Sequence, residues 1–394
     1  MGFQHKAFLA KRGNMKVVVI GAGIVGLLTA CRLKQQGADV VVLEKGSIGK
    51  ESSWAGAGIL CPIHPWLYPD SFSSLVNTSL ALYDDLDAEL QSSTGIDMQR
   101  MKSGLLIPCF ADDKQNHEEK AVSWSKAFDW QLEILSATQA GQHEPSLSTE
   151  LNQALFWPDV YQVRNPELLK AVQALLQSLE VPIIEQAEVV ALNEDSSGQV
   201  MGVFLLDGTM IDGDAVLFAA GSWSQGLAEQ SGFTLPVLPV KGQIVLVQAN
   251  PENTLNHIVK HDDAYFVPRR DGKILVGASM ENVGFSEGNT VKGVHSLLSA
   301  VLKLVPGLSD CAIERQWMGF RPGSPDGLPF LGPIEGKRGL WVATGHYRNG
   351  VALAPITANV MASWILGESP KLDMAAFSPQ RTIVPNKELG YPKA

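Results

Sequence analysis

The chain has 394 residues and a formal net charge of −10, from 31 basic and 41 acidic side chains. This length predicts about two domains, and a hydrophobic fraction of 45% with 18% charged residues is typical of a soluble globular protein. The excess of acid disfavours a nucleic-acid partner, because proteins that bind phosphate backbones need basic surfaces. The sequence has no run of about 18 uncharged apolar residues, so we expect no membrane-spanning helix.

The N-terminus and the cysteines bear on the compartment of the protein. Residues 1–14 carry several basic groups but lack the apolar stretch of a secretory signal, so we expect a disordered extension, with Met15 as an alternative start. The cysteines lie far apart and form no C-x-x-C pair; they are Cys31, Cys61, Cys109 and Cys311. This spacing favours a reducing cytoplasm and argues against a disulfide framework or a metal site.

The segment 15–44 carries the strongest functional signal of the chain. It predicts a strand over 17–20, a helix over 24–36 that ends at Gly37, a second strand over 40–43, and then an acid. The turn between the first strand and the helix fits G-x-G-x-x-G, as Gly21-Ala22-Gly23-Ile24-Val25-Gly26. This order of elements is the fingerprint of a dinucleotide-binding βαβ unit.

Each part of this unit has a physical task in holding a dinucleotide. Gly21 allows the tight turn, Gly23 lets the backbone approach the pyrophosphate, and Gly26 lets the helix pack closely on the strand. The helix N-terminus offers unpaired N–H groups and a partial positive charge to the phosphates. Glu44 stands where a carboxylate accepts hydrogen bonds from the adenosine ribose; because it would repel a 2′-phosphate, NADP is disfavoured.

Patterns that belong to one nucleotide domain recur far apart, so we expect a second domain to be inserted into it. A small-residue loop at 52–60 can lie against a flat ligand. The apolar spacing of 71–91 predicts one covering helix. Further along the chain we predict a strand at 104–109 and helices at 118–128 and 165–179.

The middle of the chain is rich in predicted strands. Two of them, at 188–192 and 200–206, precede a hairpin turn at Asp207-Gly208. The apolar run 215–218 then ends in small residues; open α/β sheets bind ligands at that edge, which makes Ala220, Gly221 and Trp223 cofactor candidates. From 236 to 277 the short strands and the turn at Asp271-Gly272 predict an antiparallel sheet.

The C-terminal part repeats the order of strand, glycine loop and helix. A glycine-bearing block at 319–327 precedes a predicted strand over 340–344, the loop Gly345-His346-Tyr347-Arg348-Asn349-Gly350 and a helix to about 366. A second helix N-terminus would thus face the same ligand. A reduced isoalloxazine ring carries negative charge around N1 and C2=O, which a helix N-terminus stabilises, whereas a nicotinamide gains little. The pattern favours a flavin.

Together these motifs resemble the FAD-dependent amine oxidases of the D-amino-acid oxidase superfamily, and within it the glycine oxidases of thiamine biosynthesis. The resemblance covers nearly the whole chain after Met15. Its most specific elements are the loop 345–350, continuing through Ala354-Pro355, and the upstream block Gly319-Phe320-Arg321-Pro322. The loop 52–60, with Pro62 and Pro65-Trp66 after it, is similar to the proteobacterial branch.

The resemblance implies a non-covalently bound FAD. Its implied contacts, besides the turn glycines Gly21, Gly23 and Gly26, are Ile24, Val25, Glu44, Lys45, Ser52, Ser53, Ala57, Gly58, Ile59, Val189, His346, Tyr347, Arg348, Asn349, Gly350, Val351 and Ala352. The backbone of Val189 would meet the adenine, and 346–352 would wrap the pyrimidine end of the flavin. We expect neither a metal nor a covalent flavin link at Cys61 and His64, since two ligands do not make a metal site.

The resemblance also implies the residues that meet the substrate. Arg321 would bind the amino-acid carboxylate through its planar guanidinium, although a structural salt bridge is the alternative. Tyr265 would be the active-site tyrosine, or else an aromatic of the sheet face. Arg348 could hold the flavin, the substrate or only its loop, and we favour the flavin. Asp263 stands where some relatives carry another polar residue, often histidine, so substrate preference stays open.

His346 could act as a general base, but we favour a smaller role for it. A histidine beside glycine in a turn is often a capping or packing residue. Amine oxidation by hydride transfer requires only that the substrate nitrogen be deprotonated, so no side-chain base is needed.

The expected fold is α/β, with two domains and two terminal extensions. A discontinuous Rossmann-like FAD-binding domain would comprise 15–95, 160–235 and 320–375. An inserted α+β substrate domain on a mostly antiparallel sheet would comprise 96–159 and 236–319. Residues 376–394 would form a C-terminal tail.

The expected activity is FAD-dependent oxidative deamination of glycine or another small amino acid or amine. The products would be the 2-oxo acid, ammonia and hydrogen peroxide, with dioxygen as acceptor, and we expect a homo-oligomer. One alternative is a D-amino-acid or sarcosine dehydrogenase that passes electrons to a quinone or other carrier. Another is a flavin domain that acts on a macromolecule such as tRNA, or a non-catalytic nucleotide-binding protein.

Overall fold

The structure is a computed structural model that describes residues 15–111, 113, 117–250 and 253–389. The predicted extension at 1–14 lies outside the described residues, and so do residues 390–394 of the predicted C-terminal tail. Among the described residues, no helix combines the length and the apolar character needed to cross a bilayer.

The described residues form twenty strands, many of which follow one another without a helix between them. The strands are β1 (Lys16–Ile20), β2 (Asp39–Leu43), β3 (Ile59–Leu60), β4 (Met101–Lys102), β5 (Leu105–Cys109), β6 (Glu133–Ser136), β7 (Gln153–Trp157), β8 (Tyr161–Gln162), β9 (Ile183–Ile184), β10 (Val189–Glu194), β11 (Val200–Leu205), β12 (Met210–Asp212), β13 (Ala215–Phe218), β14 (Leu238–Gln248), β15 (Ile258–His261), β16 (Ala264–Pro268), β17 (Lys273–Gly277), β18 (Ala312–Gly323), β19 (Phe330–Pro333) and β20 (Leu340–Thr344).

The α-helices cover the faces of the sheets. They are α1 (Ile24–Gln35), α2 (Ser52–Ala55), α3 (Asp70–Ala81), α4 (Tyr83–Thr94), α5 (Glu118–Ala127), α6 (Ala137–His143), α7 (Asn165–Ser178), α8 (Ser224–Gln230), α9 (Val291–Leu304) and α10 (Gly350–Ile365). Single 3₁₀ turns lie at Pro65–Leu67, Gly221–Trp223, Pro306–Leu308, Ala375–Phe377 and Lys387–Leu389.

A six-stranded sheet with the order β19-β20-β13-β1-β2-β9 forms the nucleotide-binding part of the fold. Its strands are parallel except for β19. Val17 and Val19 of β1 are buried in one apolar cluster, and Val18 and Ile20 in another. Both faces are therefore covered, which explains why β1 reads as a continuous apolar run.

The two strand–loop–helix units predicted from the sequence are both confirmed. The first is β1, α1 and β2, and α1 ends before Gly37, whose φ of +91° is the left-handed conformation expected there. The second is β20, the loop 345–349 and α10. Because β20 and β1 flank β13 in one parallel sheet, both helices begin at the same sheet edge.

The second large sheet has eight strands in the order β18-β14-β17-β16-β15-β5-β7-β6. It is antiparallel except for the pairing of β15 with β5, so the antiparallel sheet predicted for 236–277 is confirmed. The turn at Asp271-Gly272 joins β16 to β17 as predicted, with Gly272 at a φ of +76°. The hairpin turn at Asp207-Gly208 is confirmed too, between β11 and β12.

The structure differs from the sequence prediction in two places. The single helix expected over 71–91 is two helices, α3 and α4, because the N–H of Leu82 bonds the carbonyl of Ser79 and tightens the last turn of α3. The glycine-bearing block 319–327, for which we predicted no strand, begins inside the strand β18. The first half of β18 is exposed at the sheet edge, so its sequence shows no apolar alternation that would predict a strand.

Candidate active site

A cavity of about 380 Å³ opens between the carboxyl edge of the parallel sheet and the eight-stranded sheet. Its volume lies in the range typical of small-molecule sites, roughly 300 to 1,000 Å³. Nearly all sequence-predicted site residues line it: Gly21, Gly23, Ile24, Val25, Glu44, Lys45, Ser52, Ser53, Ala57, Gly58, Ile59, Val189, Ala220, Gly221, Trp223, Tyr265, Arg321, His346, Tyr347, Arg348, Asn349, Gly350 and Val351.

Gly26 and Ala352 were also expected to contact the cofactor, but the structure does not place them at the cavity. A Cβ on Gly26 would lie 2.0 Å from the carbonyl oxygen of Gly21, so Gly26 packs the helix on the turn. Ala352 is buried inside α10, where its carbonyl accepts a hydrogen bond from Ser79 at 2.6 Å. Both residues therefore serve packing behind the cavity wall.

The nucleotide end of the cavity is built by the glycine turn and Glu44. Gly21 has a φ of +104°, and a Cβ there would lie 2.5 Å from the carbonyl oxygen of Ala219, so only glycine fits. The Glu44 carboxylate accepts hydrogen bonds from the N–H groups of Ala22 at 2.8 Å and Gly46 at 2.9 Å. A carboxylate accepts about four hydrogen bonds, so Glu44 keeps capacity for a ribose hydroxyl.

Two helix N-termini open into the cavity without a side-chain cap. Helix α1 follows Gly23, α10 follows Asn349, and neither helix has an acid in its first turn. Such ends carry unpaired N–H groups and a partial positive charge, which suit a pyrophosphate and an electron-rich ring. One donor is already engaged, because the N–H of Ile24 donates to Ser53 Oγ at 2.9 Å. The Ser53 side chain thus holds the first residue of α1 in place.

The small-residue loop 52–60 is held in place through its carbonyl groups. Arg269 Nη2 donates to the carbonyl of Ala57 at 2.7 Å, Asn165 Nδ2 to that of Ser53 at 2.7 Å, and Trp317 Nε1 to that of Ala55 at 3.1 Å. We did not predict these roles from the sequence. The three donors lie far from the loop along the chain, so no local pattern identifies them.

Lys45 and Trp223 meet at the nucleotide end. The Lys45 ammonium lies 3.6 Å from the centroid of the Trp223 ring. Phe285 stacks on the same ring, with 5.0 Å between the centroids and 19° between the planes. Burial lowers the pKa of Lys45. The contact combines cation–π attraction with a rigid aromatic wall for the cavity.

Arg321 lies at the other end of the cavity, on β18. Its Nη1 donates to the carbonyl of Ser279 at 3.1 Å. Among the described residues, no acid lies within 4.0 Å of its guanidinium, so the salt-bridge alternative has no support there. Its remaining donors can take up a substrate carboxylate in bidentate fashion.

Tyr265 lies beside Arg321 and completes this end. A Cβ on Gly277 would lie 2.7 Å from Tyr265 Oη, so the bare glycine backbone leaves space for the ring. Burial raises the pKa of Tyr265, and a hydrogen bond with Arg321 opposes that rise. The side chain therefore stays a neutral phenol, able to donate a hydrogen bond.

Arg348 lines the cavity and is held there by the C-terminal segment. Its Nη2 donates to the carbonyl of Leu389 at 2.9 Å and lies 2.8 Å from the sulfur of Met280. The hydroxyl of Tyr347 donates to the same carbonyl at 3.0 Å. The C-terminal segment thus returns to the active site, with the Leu389 side chain fully buried.

His346 lines the cavity and packs against α10. It is buried, and its Nε2 lies 3.1 Å from the hydroxyl of Thr357 in α10. Burial lowers the pKa of His346 to about 3, so the ring is neutral near pH 7. The described residues contain no cluster of three groups able to hold a metal ion.

Lys260 is a cavity residue that we did not predict. It belongs to β15, is 4% exposed, and lies directly opposite Tyr265 across the strand pair. Asp263, which was left open as a determinant of substrate preference, lines the same wall. The sequence gives one signal for this position: the lysine follows two apolar residues in a strand that is buried throughout.

Comparison with known proteins agrees with this geometry. The chain matches the family described as FAD dependent oxidoreductase, DAO, over residues 16–364. It is 38% identical over 365 residues to a glycine oxidase of Pseudomonas aeruginosa, covering 92% of this chain and 98% of the relative. It is 36% identical over 368 residues to a glycine oxidase of Pseudomonas putida, covering 93% and 99%.

The fold leads to the same family. The crystal structure of glycine oxidase from Geobacillus kaustophilus superposes with a TM-score of 0.88 at 30% identity, covering 94% of this chain and 100% of that one. With two uncapped helix N-termini, a glycine turn and an anchored acid around one cavity, the residues present fit an FAD. The protein belongs to the DAO family and is an FAD-dependent oxidoreductase.

Proposed function

We propose that this enzyme oxidatively deaminates glycine or another small amino acid or amine to the 2-oxo acid, ammonia and hydrogen peroxide. The observation that carries the proposal is Arg321, whose guanidinium lines the FAD-family cavity and faces no described acid. The sequence relatives named glycine oxidase support the same substrate class. Their printed names also support dioxygen as the electron acceptor rather than a quinone or another carrier.

The protein would orient the substrate, while bound FAD supplies the two-electron redox chemistry. Arg321 holds the carboxylate by a charge-assisted bidentate pair, and the Tyr265 phenol helps to seat it. This fixes the Cα–H relative to the cavity wall, which is a gain in orientation. Burial lowers the pKa of His346 to about 3, so its ring is too weak a base to take a proton from the amine near pH 7.

We propose the cavity-lining residues as the FAD contacts, with Glu44 at the ribose and the first turn of α1 at the pyrophosphate. The division into a discontinuous FAD-binding domain and a substrate domain stays a prediction; the two large sheets support it. Measured FAD affinities of variants at Glu44 and Lys45 would test the contact set.

We propose further that the enzyme works in the cytoplasm as a homo-oligomer, without a nucleic-acid partner. All four cysteines are free, and the net charge is −10. Exposed apolar side chains support association between copies: Val291 and Leu302 on α9 are 90% and 59% exposed, and Ile313 on β18 is 52% exposed. Light scattering of the purified protein would measure the oligomeric state.

The decisive experiment is a visible spectrum of the purified protein followed by anaerobic addition of glycine, sarcosine and D-alanine. Bleaching of bands near about 450 nm would identify both the flavin and the substrate class. Hydrogen peroxide formed in air would then separate an oxidase from a dehydrogenase. A colourless protein that takes up no flavin on reconstitution would overturn the proposal.

Arg321→Ala tests the role of the guanidinium. We expect apparent substrate binding to weaken by roughly 2 to 4 kcal/mol, as for loss of a buried charge-assisted pair. Arg315→Ala is the matched control, because Arg315 lies on the same strand in its exposed half. Wild-type kinetics with glycine in Arg321→Ala would contradict the assignment.

A further inference from the structure

The Arg321 side chain is held in the cavity by a short segment of backbone. Its Nη1 donates to the carbonyl of Ser279 at 3.1 Å. A long arginine side chain has many rotamers, so a substrate carboxylate that had to order it would bind less tightly. The groups that fix the Ser279 carbonyl therefore affect how well the guanidinium is preorganised.

The backbone around Ser279 follows β17, at a point where the sheet pairing is interrupted. Val245 of β14 pairs with Val276 of β17, and pairing resumes at the isolated bridge between Lys241 and Glu281. From the first pair to the second, β14 advances four residues and the opposing chain five. Such a bulge re-aims groups away from the ladder and is frequent next to active sites. Here the carbonyl of Ser279 accepts from Arg321.

Hydrogen bonds from Gln243 of β14 fix this bulge. Gln243 is fully buried; its backbone N–H donates to Ser279 Oγ at 3.0 Å, and its Nε2 donates to Glu281 Oε1 at 2.6 Å. The Ser279 hydroxyl donates to the same oxygen of Glu281. The backbone N–H and carbonyl of Glu281 both bond Lys241, at 3.0 Å each. The three side chains thus form a closed set of hydrogen bonds, in which Glu281 is the acceptor.

The other bonds of the Gln243 amide tie this set to α9. Its Nε2 also donates to Thr290 Oγ1 at 2.9 Å, and its Oε1 accepts from the N–H of Thr290 at 2.7 Å. Gly293 in the first turn of α9 leaves room for the amide, because a Cβ there would lie 2.2 Å from Gln243 Nε2. A buried polar network whose members are all paired is rigid. The bulge therefore has a fixed position.

We propose that Gln243 and Glu281 are positioning residues for Arg321. They fix the Ser279 carbonyl, which in turn holds the guanidinium ready for a substrate carboxylate. Neither residue is among the described residues that line the cavity, so each acts through Ser279. The inference rests on the proposed function, which gives Arg321 its carboxylate-binding role. It requires Glu281 as a hydrogen-bond acceptor and does not require its charge.

The test measures the dissociation constant of acetate from the FAD-loaded enzyme, through the change in the flavin spectrum. Acetate is a carboxylate without an amine, so it reports on the carboxylate site and needs no turnover. We expect the constant to rise about three- to tenfold in Glu281→Ala, the range expected when an ordered side chain becomes mobile. In Glu281→Gln a side-chain oxygen still accepts, so the constant should stay within about twofold of the wild type. Glu287→Ala, which removes an exposed acid of the following loop, is the matched control and should bind acetate as the wild type does.

A double variant shows whether the effect passes through Arg321. In the Arg321→Ala background, Glu281→Ala should weaken acetate binding no further, because groups that act together are not additive. The dissociation constant of FAD should be the same in Glu281→Ala and in the wild type, whereas a general loosening of the site would raise it and overturn the inference. Three results with acetate would also overturn it: wild-type binding by Glu281→Ala, an equal loss in Glu281→Gln, or a fully additive loss in the double variant.

These outcomes are separate from failure of the proposed function. Acetate binding by Arg321→Ala as in the wild type would refute the carboxylate-binding role of Arg321, and the inference with it. Failure of glycine, sarcosine and D-alanine to bleach the flavin would overturn the proposed oxidation, and the acetate titrations would still decide whether Glu281 positions Arg321.

Discussion

Gly242 leaves the space that Arg321 fills: a Cβ at position 242 would lie 2.6 Å from both terminal nitrogens of the guanidinium. The two residues belong to neighbouring strands, β14 and β18, with Arg321 paired to Val240. The long side chain therefore lies across the bare backbone of Gly242 on its way to the cavity. The position of the proposed carboxylate-binding group depends on the absence of a methyl group.

Gly242→Ala should displace Arg321 while leaving the charge in place. We expect KM for glycine to rise by at least about tenfold, because misplacing a positioning group by about 1 Å has large kinetic effects. Steady-state kinetics at saturating FAD would measure this. Gly141→Ala in α6 is the matched control, since a Cβ there meets nothing within 4 Å. Unchanged KM in Gly242→Ala would show that Arg321 does not bind the substrate in this position.

Trp223→Ala should weaken FAD binding. The change removes the ring under the Lys45 ammonium and the surface on which Phe285 stacks. We expect the dissociation constant of FAD to rise about five- to thirtyfold, corresponding to about 1 to 2 kcal/mol for a partly buried cation–π contact. Titration of the apoprotein with FAD would measure it. The same constant as in the wild type would contradict a cofactor role for this wall.

Asn386→Ala should loosen the C-terminal segment that holds Arg348. The Asn386 side chain donates a hydrogen bond to the carbonyl of Leu67 at 2.7 Å. Asn386 lies three residues before Leu389, whose carbonyl accepts a hydrogen bond from Arg348. We expect a loss of about 1 kcal/mol in stability, typical of a lost hydrogen bond, together with a higher KM. Lys387→Ala, at the exposed neighbouring position, is the control. Equal thermal midpoints and KM values for both variants would show that the segment does not support the site.

The stability of the protein should fall in acid because of His346. Its pKa is about 3 in the folded state, below the ordinary value of 6.5. Between these values the unfolded chain binds a proton that the folded chain refuses, so stability is present above about pH 6.5 and decreases as pH falls.

From pH 7 to pH 5 this single histidine should account for about 2 kcal/mol of lost stability. Urea unfolding at both pH values would measure the loss in the wild type and in His346→Gln. We expect the difference between the two pH values to shrink by about that amount in His346→Gln. His295→Gln, on the exposed face of α9, should leave it as it was. A His346→Gln protein with the full acid sensitivity would refute the explanation.

Local patterns were sufficient wherever a site depends on consecutive residues. The turn at Gly21, the helix after it and Glu44 at the end of β2 could be predicted because each belongs to one strand–turn–helix–strand unit. The same is true of the loop before α10. The resemblance to a known family added Arg321 and Tyr265, which no periodicity identifies.

Other parts of the site could not be predicted, because they depend on contacts across distant strands. The anchoring of Ala57 by Arg269, the space above Gly242 and the place of Lys260 beside Tyr265 all follow from strand register. The split between α3 and α4 was missed because apolar spacing continues through the junction.

The sequence by itself determined the elements of the nucleotide half and the chemistry of its first turn, since backbone preferences and helix ends are properties of neighbouring residues. Only the tertiary structure decided how the substrate end is charged and shaped. There the neighbours are set by the pairing of β14, β15, β16 and β18, and side chains far apart in the chain share one buried space. Burial in that space lowers the pKa values of His346 and Lys260. The amino-acid composition does not reveal such shifts, because they depend on which side chains the fold buries.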